Sequence, residues 1–283
     1  MNCIEVKNVS KRFAETEALS QVCLRFEENK IYGLLGRNGA GKSTLLNIIA
    51  NRIFADSGQV FVNGMPAIEN DRAQSLLYLM SEQTLYPEKM KIREVFKWTQ
   101  NFYPSFDLAY AQNLAARFGL DTKKKVKALS TGYSSIFKII VALSAGTPYI
   151  LLDEPVLGLD AAHRELFYKV LIEKYSTDPC TVILSTHLIE EAAGVVEDIV
   201  IIKEGKIIQN QSCEALLSKG YTISGKAAAV DDFIRGKEII GTDSLGGLKT
   251  AYILGALPEE EIPGDLELSR LDLQKLFVQL TNS

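Results

Sequence analysis

Apolar positions along the chain follow two patterns. Continuous runs at Ile31 to Leu35, Tyr149 to Leu152 and Thr181 to Leu184 have the length of strands buried on both faces, as in a parallel sheet. Near the N-terminus the period is two. Cys3-Ile4-Glu5-Val6 alternates weakly, and Val22, Leu24 and Phe26 alternate against Cys23 and Arg25, with Lys11-Arg12-Phe13 ending a turn-like stretch between them. Gln59 to Val62 reads as a strand closed by Asn63-Gly64, a hairpin signal. These segments predict an antiparallel β portion beside a parallel core. Leu76 to Met80 is a further strand.

Helical spacing takes over elsewhere. Leu45, Leu46, Ile48 and Ile49 recur on one face directly after the first buried run. From Ile92 to about Phe118 the apolar positions Val95, Phe96, Phe102, Leu108, Leu114 and Phe118 are helical, broken at Tyr103-Pro104-Ser105 and capped at Gly119. Ile136, Ile139, Ile140 and Leu143 continue a helical insertion spanning about residues 84–145. The aromatic residues of this insertion read as core or docking surface. Ile199 to Ile202 and Lys206 to Ile208 flank a hairpin at Glu204-Gly205. After about Gln211, short strands (Tyr221 to Ile223, Lys237 to Ile240, Thr250 to Leu254) surround a short helix near Asp231 to Ile234, and Asp272 to Leu280 is a final helix. The expectation is an α/β chain: a main domain over residues 1–211 and a small α/β appendage over 212–283.

Composition narrows the class only a little. The chain has 283 residues, 23% charged and 47% hydrophobic, with a net charge of −4, so there is no basic excess of the kind that nucleic-acid binding favours. No apolar run approaches the roughly 20 residues of a membrane span, and the start lacks a signal-peptide core. Cys3, Cys23, Cys180 and Cys213 lie far apart without a C-x-x-C pair, which reads as reduced thiols in a cytosolic protein.

The chemistry begins at Gly36 to Ser43, GRNGAGKS, which fits the phosphate-loop pattern G-x-x-x-x-G-K-[ST] between a strand and a helix. This identifies a P-loop nucleotide-binding core. Backbone N–H groups of Gly36, Arg37, Asn38, Gly39, Ala40 and Gly41 would line an anion cradle, reinforced by the helix dipole. Lys42 would reach the β- and γ-phosphates, Ser43 would ligate Mg²⁺, and Thr44 would meet an adjacent phosphate oxygen of ATP. Two further strand ends carry polar groups, and ligands of open α/β sheets bind at such ends. Asp153 emerges from Tyr149 to Leu152 and is suited to Mg²⁺, directly or through water. Glu154 follows and is placed as general base for the attacking water, a role worth roughly 10²–10⁴-fold. An Asp-Glu pair before Pro155 can also be a helix cap; the upstream glycine loop favours metal and water. His187, after Ser185-Thr186, is placed for the γ-phosphate, although a lone histidine is more often a satisfied core residue. His163 reads as surface. Ser130-Thr131-Gly132 opens a helix whose N-terminus is a second anion site, suited to a partner's nucleotide.

Taken in order, GRNGAGKS, LSTGY (Leu129 to Tyr133), YILLDEP (Tyr149 to Pro155), GLD (Gly158 to Asp160) and STH (Ser185 to His187) resemble the ATPase subunit of an ATP-binding cassette (ABC) transporter over about residues 1–211. The resemblance implies two subunits sandwiching two ATP molecules, of the same or different chains, beneath a separate transmembrane subunit at the cytoplasmic face of the cell membrane. It implies that Ser130 and Gly132 contact the γ-phosphate held by the opposite subunit, that Gly158 to Asp160 cross the interface, and that Phe13 stacks on adenine. The family signature is usually LSGGQ, so Thr131 and Tyr133 are departures. The family's strand-end glutamine, a catalytic and Mg²⁺-linking residue, is assigned to Gln83, with Ser81 and Glu82 as alternatives. LSTGYSSIFK, FYPSFD and DEPVLGLD further resemble a branch that includes exporters of amphipathic cytolytic peptides and relatives linked to antibiotic response. No nucleic acid is expected. The competing classes are a soluble ABC ATPase acting on ribosomes or DNA and a P-loop kinase.

Overall fold

Each of the three apolar runs is buried from end to end: Ile31–Leu35, Tyr149–Asp153 and Thr181–Thr186. The structure, a computed structural model, describes residues 2–255 and 263–282. In chain order, β1 (Cys3–Phe13), β2 (Thr16–Glu27) and β3 (Ile31–Leu35) lead to α1 (Lys42–Ile49). There follow β4 (Ser57–Val62), β5 (Met65–Pro66), α2 (Asp71–Gln74) and β6 (Leu77–Met80). The helical region carries α3 (Ile92–Thr99), α4 (Leu108–Arg117) and α5 (Thr131–Ser144). The chain then returns through β7 (Tyr149–Asp153), α6 (Ala161–Thr177), β8 (Thr181–Thr186), α7 (Ile189–Ala192), β9 (Asp198–Lys203) and β10 (Lys206–Ser212). The last portion holds α8 (Cys213–Leu217), β11 (Gly220–Lys226), α9 (Ala227–Phe233), β12 (Ile239–Leu245), β13 (Leu248–Leu254), β14 (Glu267–Arg270) and α10 (Leu273–Asn282).

Among the described residues the strands form three sheets. The core sheet has the order β10-β9-β3-β8-β7-β6, with β10 antiparallel to β9 and the other neighbours parallel. An antiparallel sheet, β2-β1-β4-β5, packs across α1 onto one face of it, sharing a core that includes Phe26, Leu34, Leu45, Leu46 and Ile183. The other face carries α5, α6 and the helical region around Ile140, Phe137, Leu152 and Phe167. The β4–β5 turn uses Asn63 and Gly64, both at positive φ, as the hairpin signal requires. β1 differs from expectation: it runs through Phe13, which pairs with Thr16, so Lys11 to Phe13 are strand and the turn is at Ala14-Glu15. Cross-strand pairing with β2 overrides a polar local sequence there.

The C-terminal sheet, β12-β13-β11-β14, has a different apolar pattern on each face. Tyr221, Ile223, Ala251 and Ile253 pack with Val230 of α9 in a small separate core. The alternate residues Tyr252 and Leu254 face the other way, where α10 lies. Leu273, Leu276 and Phe277 of α10 belong to the main core, together with Ile189 and Ala192 of α7. The final helix is therefore part of the main body's packing, although a boundary at residue 211 would assign it to the appendage. β14 was not legible as a strand, because Glu267-Leu268-Ser269-Arg270 has a single apolar position.

Candidate active site

β3, β8 and β7 are parallel neighbours, with Leu35 opposite Thr186 and Asp153 opposite Ser185. Each chain leaves the sheet at the same end one or two residues later. The glycine loop, His187 and Glu154 are thereby delivered side by side. They line a cleft of about 380 Å³ formed by Asn38 to Thr44 with Ala18, Glu82, Glu154, Leu157 and His187.

The loop is built tightly. Gly41 sits at φ 110°, and a Cβ there would lie 2.5 Å from the Ala18 carbonyl, so a side chain is excluded on both conformational and steric grounds. The Gly205 N–H, from the β9–β10 turn, donates to the Ala40 carbonyl at 3.0 Å and braces the loop from below. Lys42 is buried, and its Nζ donates to the carbonyls of Gly36 at 2.7 Å and Arg37 at 3.3 Å. The same Nζ lies 3.6 Å from Glu154 Oε1. Glu154 Oε2 is 2.8 Å from His187 Nδ1. Glu154 itself is held at φ 48°, a left-handed conformation that costs a non-glycine residue about 1 kcal/mol. Its N–H donates to the Ser185 carbonyl at 2.9 Å, which fixes the turn that aims its carboxylate.

Asp153 is buried, and its Oδ1 accepts from Ser185 Oγ at 3.1 Å. Among the described residues no group of three or more His, Cys, Asp or Glu could hold a metal by itself. That fits Mg²⁺, which takes one or two protein oxygens and completes its shell with phosphate and water. Ser43 and Asp153 supply oxygen donors of that type.

Gly36, Arg37 and Asp153 are not among the residues lining the cleft, and four other expected residues lie elsewhere. Gln83 does not enter the phosphate cleft; it lines a neighbouring cavity of about 280 Å³ with Tyr78, Tyr86, Trp98, Phe102 and Tyr103, and Glu82 takes the cleft side instead. The reason is local: Lys138 Nζ donates to the Glu82 carbonyl at 2.7 Å and to the Ser81 carbonyl at 3.1 Å, pinning the segment after β6. Ser130 caps α5 by accepting from the Tyr133 N–H at 3.3 Å, and Gly132 packs on Gly158; neither lines the cleft of its own chain. Phe13 is 48% exposed at the end of β1, with Lys11 Nζ 5.4 Å from its ring centre. His163 is half-buried, bonded to the Asp160 carboxylate at 2.9 Å and placed beside Tyr133 and Phe118, so it is not simply a surface residue.

Three cations with structural roles carried no sequence signal. Arg52 donates to Ser81 Oγ and to the Leu79 carbonyl, both at 2.8 Å. Burial pushes down the pKa of Arg52, and likewise that of Lys138. Arg164 joins Glu191 of α7 at 2.9 Å to the Leu159 carbonyl at 3.0 Å. Isolated Arg and Lys residues look like ordinary surface charges until the fold supplies their partners.

The profile of the ABC transporter family matches residues 19–157. An uncharacterized ABC transporter ATP-binding protein of Methanocaldococcus jannaschii, MJ1023, is 30% identical over 221 residues, covering 76% of this chain and 80% of that protein. The chain belongs to the ABC transporter ATP-binding family. It is accordingly an ATP-binding cassette. The cassette is 31% identical over 188 residues to the ABC transporter ATP-binding protein YtrB of Bacillus subtilis, covering 66% of this chain and 64% of YtrB's length. Its fold resembles that of the ATP-binding cassette MJ0796 in a dimeric post-hydrolysis state bound to ADP and Pi, with a TM-score of 0.66, 24% identity, and coverage of 74% of this chain and 98% of that one. No helix among the described residues is long and apolar enough to cross a membrane.

Proposed function

We propose that this cassette hydrolyses ATP to drive a separate transmembrane subunit that exports amphipathic peptides or antimicrobial compounds. The observation that carries the ATPase half is the Glu154–His187 pair, 2.8 Å apart and facing the Lys42 ammonium across the cleft. Lys42 neutralises the β- and γ-phosphates when it leaves the carbonyls of Gly36 and Arg37, with the backbone N–H groups of the loop completing the cradle. Thr44 meets a neighbouring phosphate oxygen. Ser43 and Asp153 would hold Mg²⁺, which would supply charge stabilisation to the phosphates. Glu154 accepts the proton of the attacking water, and His187 holds both the Glu154 carboxylate and the γ-phosphate in place. A carboxylate already fixed in a left-handed turn loses little freedom on reaching the water.

Ser130 and Gly132, turned away from their own cleft, serve the ATP of a second cassette, and Gly158 to Asp160 run along the same interface. The MJ0796 cassette, of similar fold, is dimeric, which supports the pairing of two cassettes. Phe13 is free to cover adenine. The transmembrane subunit docks in the aromatic cavity beside β6, where Trp98 and Phe102 are exposed. Glu82 and Gln83, consecutive residues on opposite sides of one short segment, then link that docking cavity to the phosphate cleft. The direction and cargo rest on the resemblance of LSTGYSSIFK, FYPSFD and DEPVLGLD to the exporter branch.

The test is a detergent pull-down of tagged Glu154→Gln protein from its own membranes with ATP, read by mass spectrometry. The expected result is a stoichiometric multi-span protein. Recovery of ribosomal proteins with no membrane partner would move the reading to a soluble ATPase.

A further inference from the structure

The C-terminal helix α10 touches both ends of the catalytic apparatus. Along its length, Leu276 and Phe277 pack into the core that holds Ile189 and Ala192 of α7. α7 begins two residues after His187, and the intervening Leu188 N–H is tied to Thr186 Oγ1 at 3.0 Å. There is little slack between the helix and the histidine. At its last turn, Asn282 Oδ1 accepts from Arg37 Nη1 of the phosphate loop at 3.3 Å. α10 also bears on the appendage sheet, where Leu276 fills the space above Gly220 of β11 and Gln279 that above Gly241 of β12. α10 is thus a single rigid element between the appendage sheet and the nucleotide site. The far side of that sheet has its own core around Val230 and does not reach the cleft.

We propose that α10 is a positioning element for ATP turnover, setting His187 through α7 and the phosphate loop through Arg37, so that a load on the appendage sheet changes the rate of hydrolysis. The inference rests on the reading of His187 given above. Arg37 is the sensitive point, because its carbonyl accepts from Lys42 while its guanidinium donates to Asn282. When Lys42 moves to phosphate, the backbone at Arg37 loses one of its restraints and the contact with Asn282 changes with it. Coupling of this kind is reciprocal: nucleotide alters the appendage by the same free energy with which the appendage alters nucleotide affinity.

The test uses the full chain and steady-state MgATP hydrolysis. Phe277→Ala is expected to lower kcat about tenfold with KM changed less than about twofold, and to cause no further loss in a His187→Ala background. The same tenfold loss in both backgrounds would reduce α10 to general support and overturn the proposal. Val230→Ala removes a buried side chain on the far side of the sheet and is expected to leave kcat within about twofold; an equal loss there also overturns it. Should Phe277→Ala fail to fold, Asn282→Ala replaces an exposed helix end and is expected to raise KM about threefold and speed hydrogen exchange at residues 36–40; no change in either overturns the role. If His187→Ala hydrolyses ATP like the parent, the reading of the histidine fails instead. Hydrogen exchange at residues 187–192 then decides the matter alone: faster in Phe277→Ala than in Val230→Ala supports positioning, and equal rates end it.

Discussion

Glu154 and His187 stand 2.8 Å apart because β7 and β8 are parallel neighbours in a register that sets Asp153 opposite Ser185. One carboxylate oxygen meets the imidazole and the other lies 3.6 Å from Lys42 Nζ, so the groups proposed as base, orienting partner and phosphate-binding cation occupy one small volume. Replacing the base separates binding from chemistry. Glu154→Gln keeps the shape and a hydrogen-bonding group but cannot take a proton. ATP turnover should fall by roughly 10²–10⁴-fold with nucleotide affinity retained, and the ATP-bound dimer should accumulate on size exclusion. Brisk turnover by this variant would show that the base lies elsewhere.

Lys42→Ala acts on binding itself. It removes a buried cation proposed to donate to phosphate, and charge-assisted bonds of this type are worth about 1.5–3 kcal/mol each. ATP affinity should weaken about 10- to 100-fold in a direct titration. An unchanged dissociation constant would contradict the cradle assigned to Gly36 through Ser43.

Gly132→Ala tests the opposite-subunit role. A Cβ at this position would lie 2.7 Å from the Gly158 carbonyl, so the LSTGY and GLD segments must separate to admit it. Ordinary overpacking costs about 1–3 kcal/mol. If these segments close on a partner's ATP, turnover should drop about tenfold or more while ATP binding by the isolated monomer stays the same. Equal loss of monomer binding would place Gly132 in its own chain's site.

The alkaline limit of stability should be set by acidic groups whose pKa the fold raises. Burial pushes the Cys180 thiol up to about 11 and the Tyr175 hydroxyl up to about 12. The unfolded chain ionises these groups nearer about 8.5 and 10. A folded-state pKa above the unfolded one means full stability below the unfolded value and loss as pH rises toward the folded value. The Tm should therefore hold steady to about pH 8.5 and decline from there toward pH 11. Cys180→Ala should lower the plateau and flatten the first part of the decline; an unaltered slope would assign the loss to other groups.

Much of the site was legible because its parts are contiguous in sequence. GRNGAGKS lies between an apolar run and a helical one, and the residues after YILL and TVIL sit at the ends of buried strands. Strand-end position alone was enough to group Lys42, Asp153, Glu154 and His187. Gln83 shows where this fails. Its residue type suited the cleft, yet the segment after β6 is irregular, and Arg52 and Lys138 fix which side chain faces which cavity. Arg52 is 27 and 29 positions from the residues it holds, and Lys138 is 56 and 57, in no pattern a local reading could detect. The turn expected around Lys11 to Phe13 failed for a related reason, since pairing with Thr16 to Leu19 extends a strand through polar residues.

What the sequence by itself determined was the nucleotide chemistry and the layered α/β architecture, both of which depend on short patterns with fixed periods and spacings. The tertiary structure alone decided which strand ends are neighbours, which face of the 81–84 segment each side chain takes, and that α10 belongs with α7 and the phosphate loop. The physical reason is the same in each case. Burial and hydrogen bonding across the order β3-β8-β7 and across the α10 interface join residues far apart in the chain, and such contacts leave only an apolar face, not its partner, written in the local sequence.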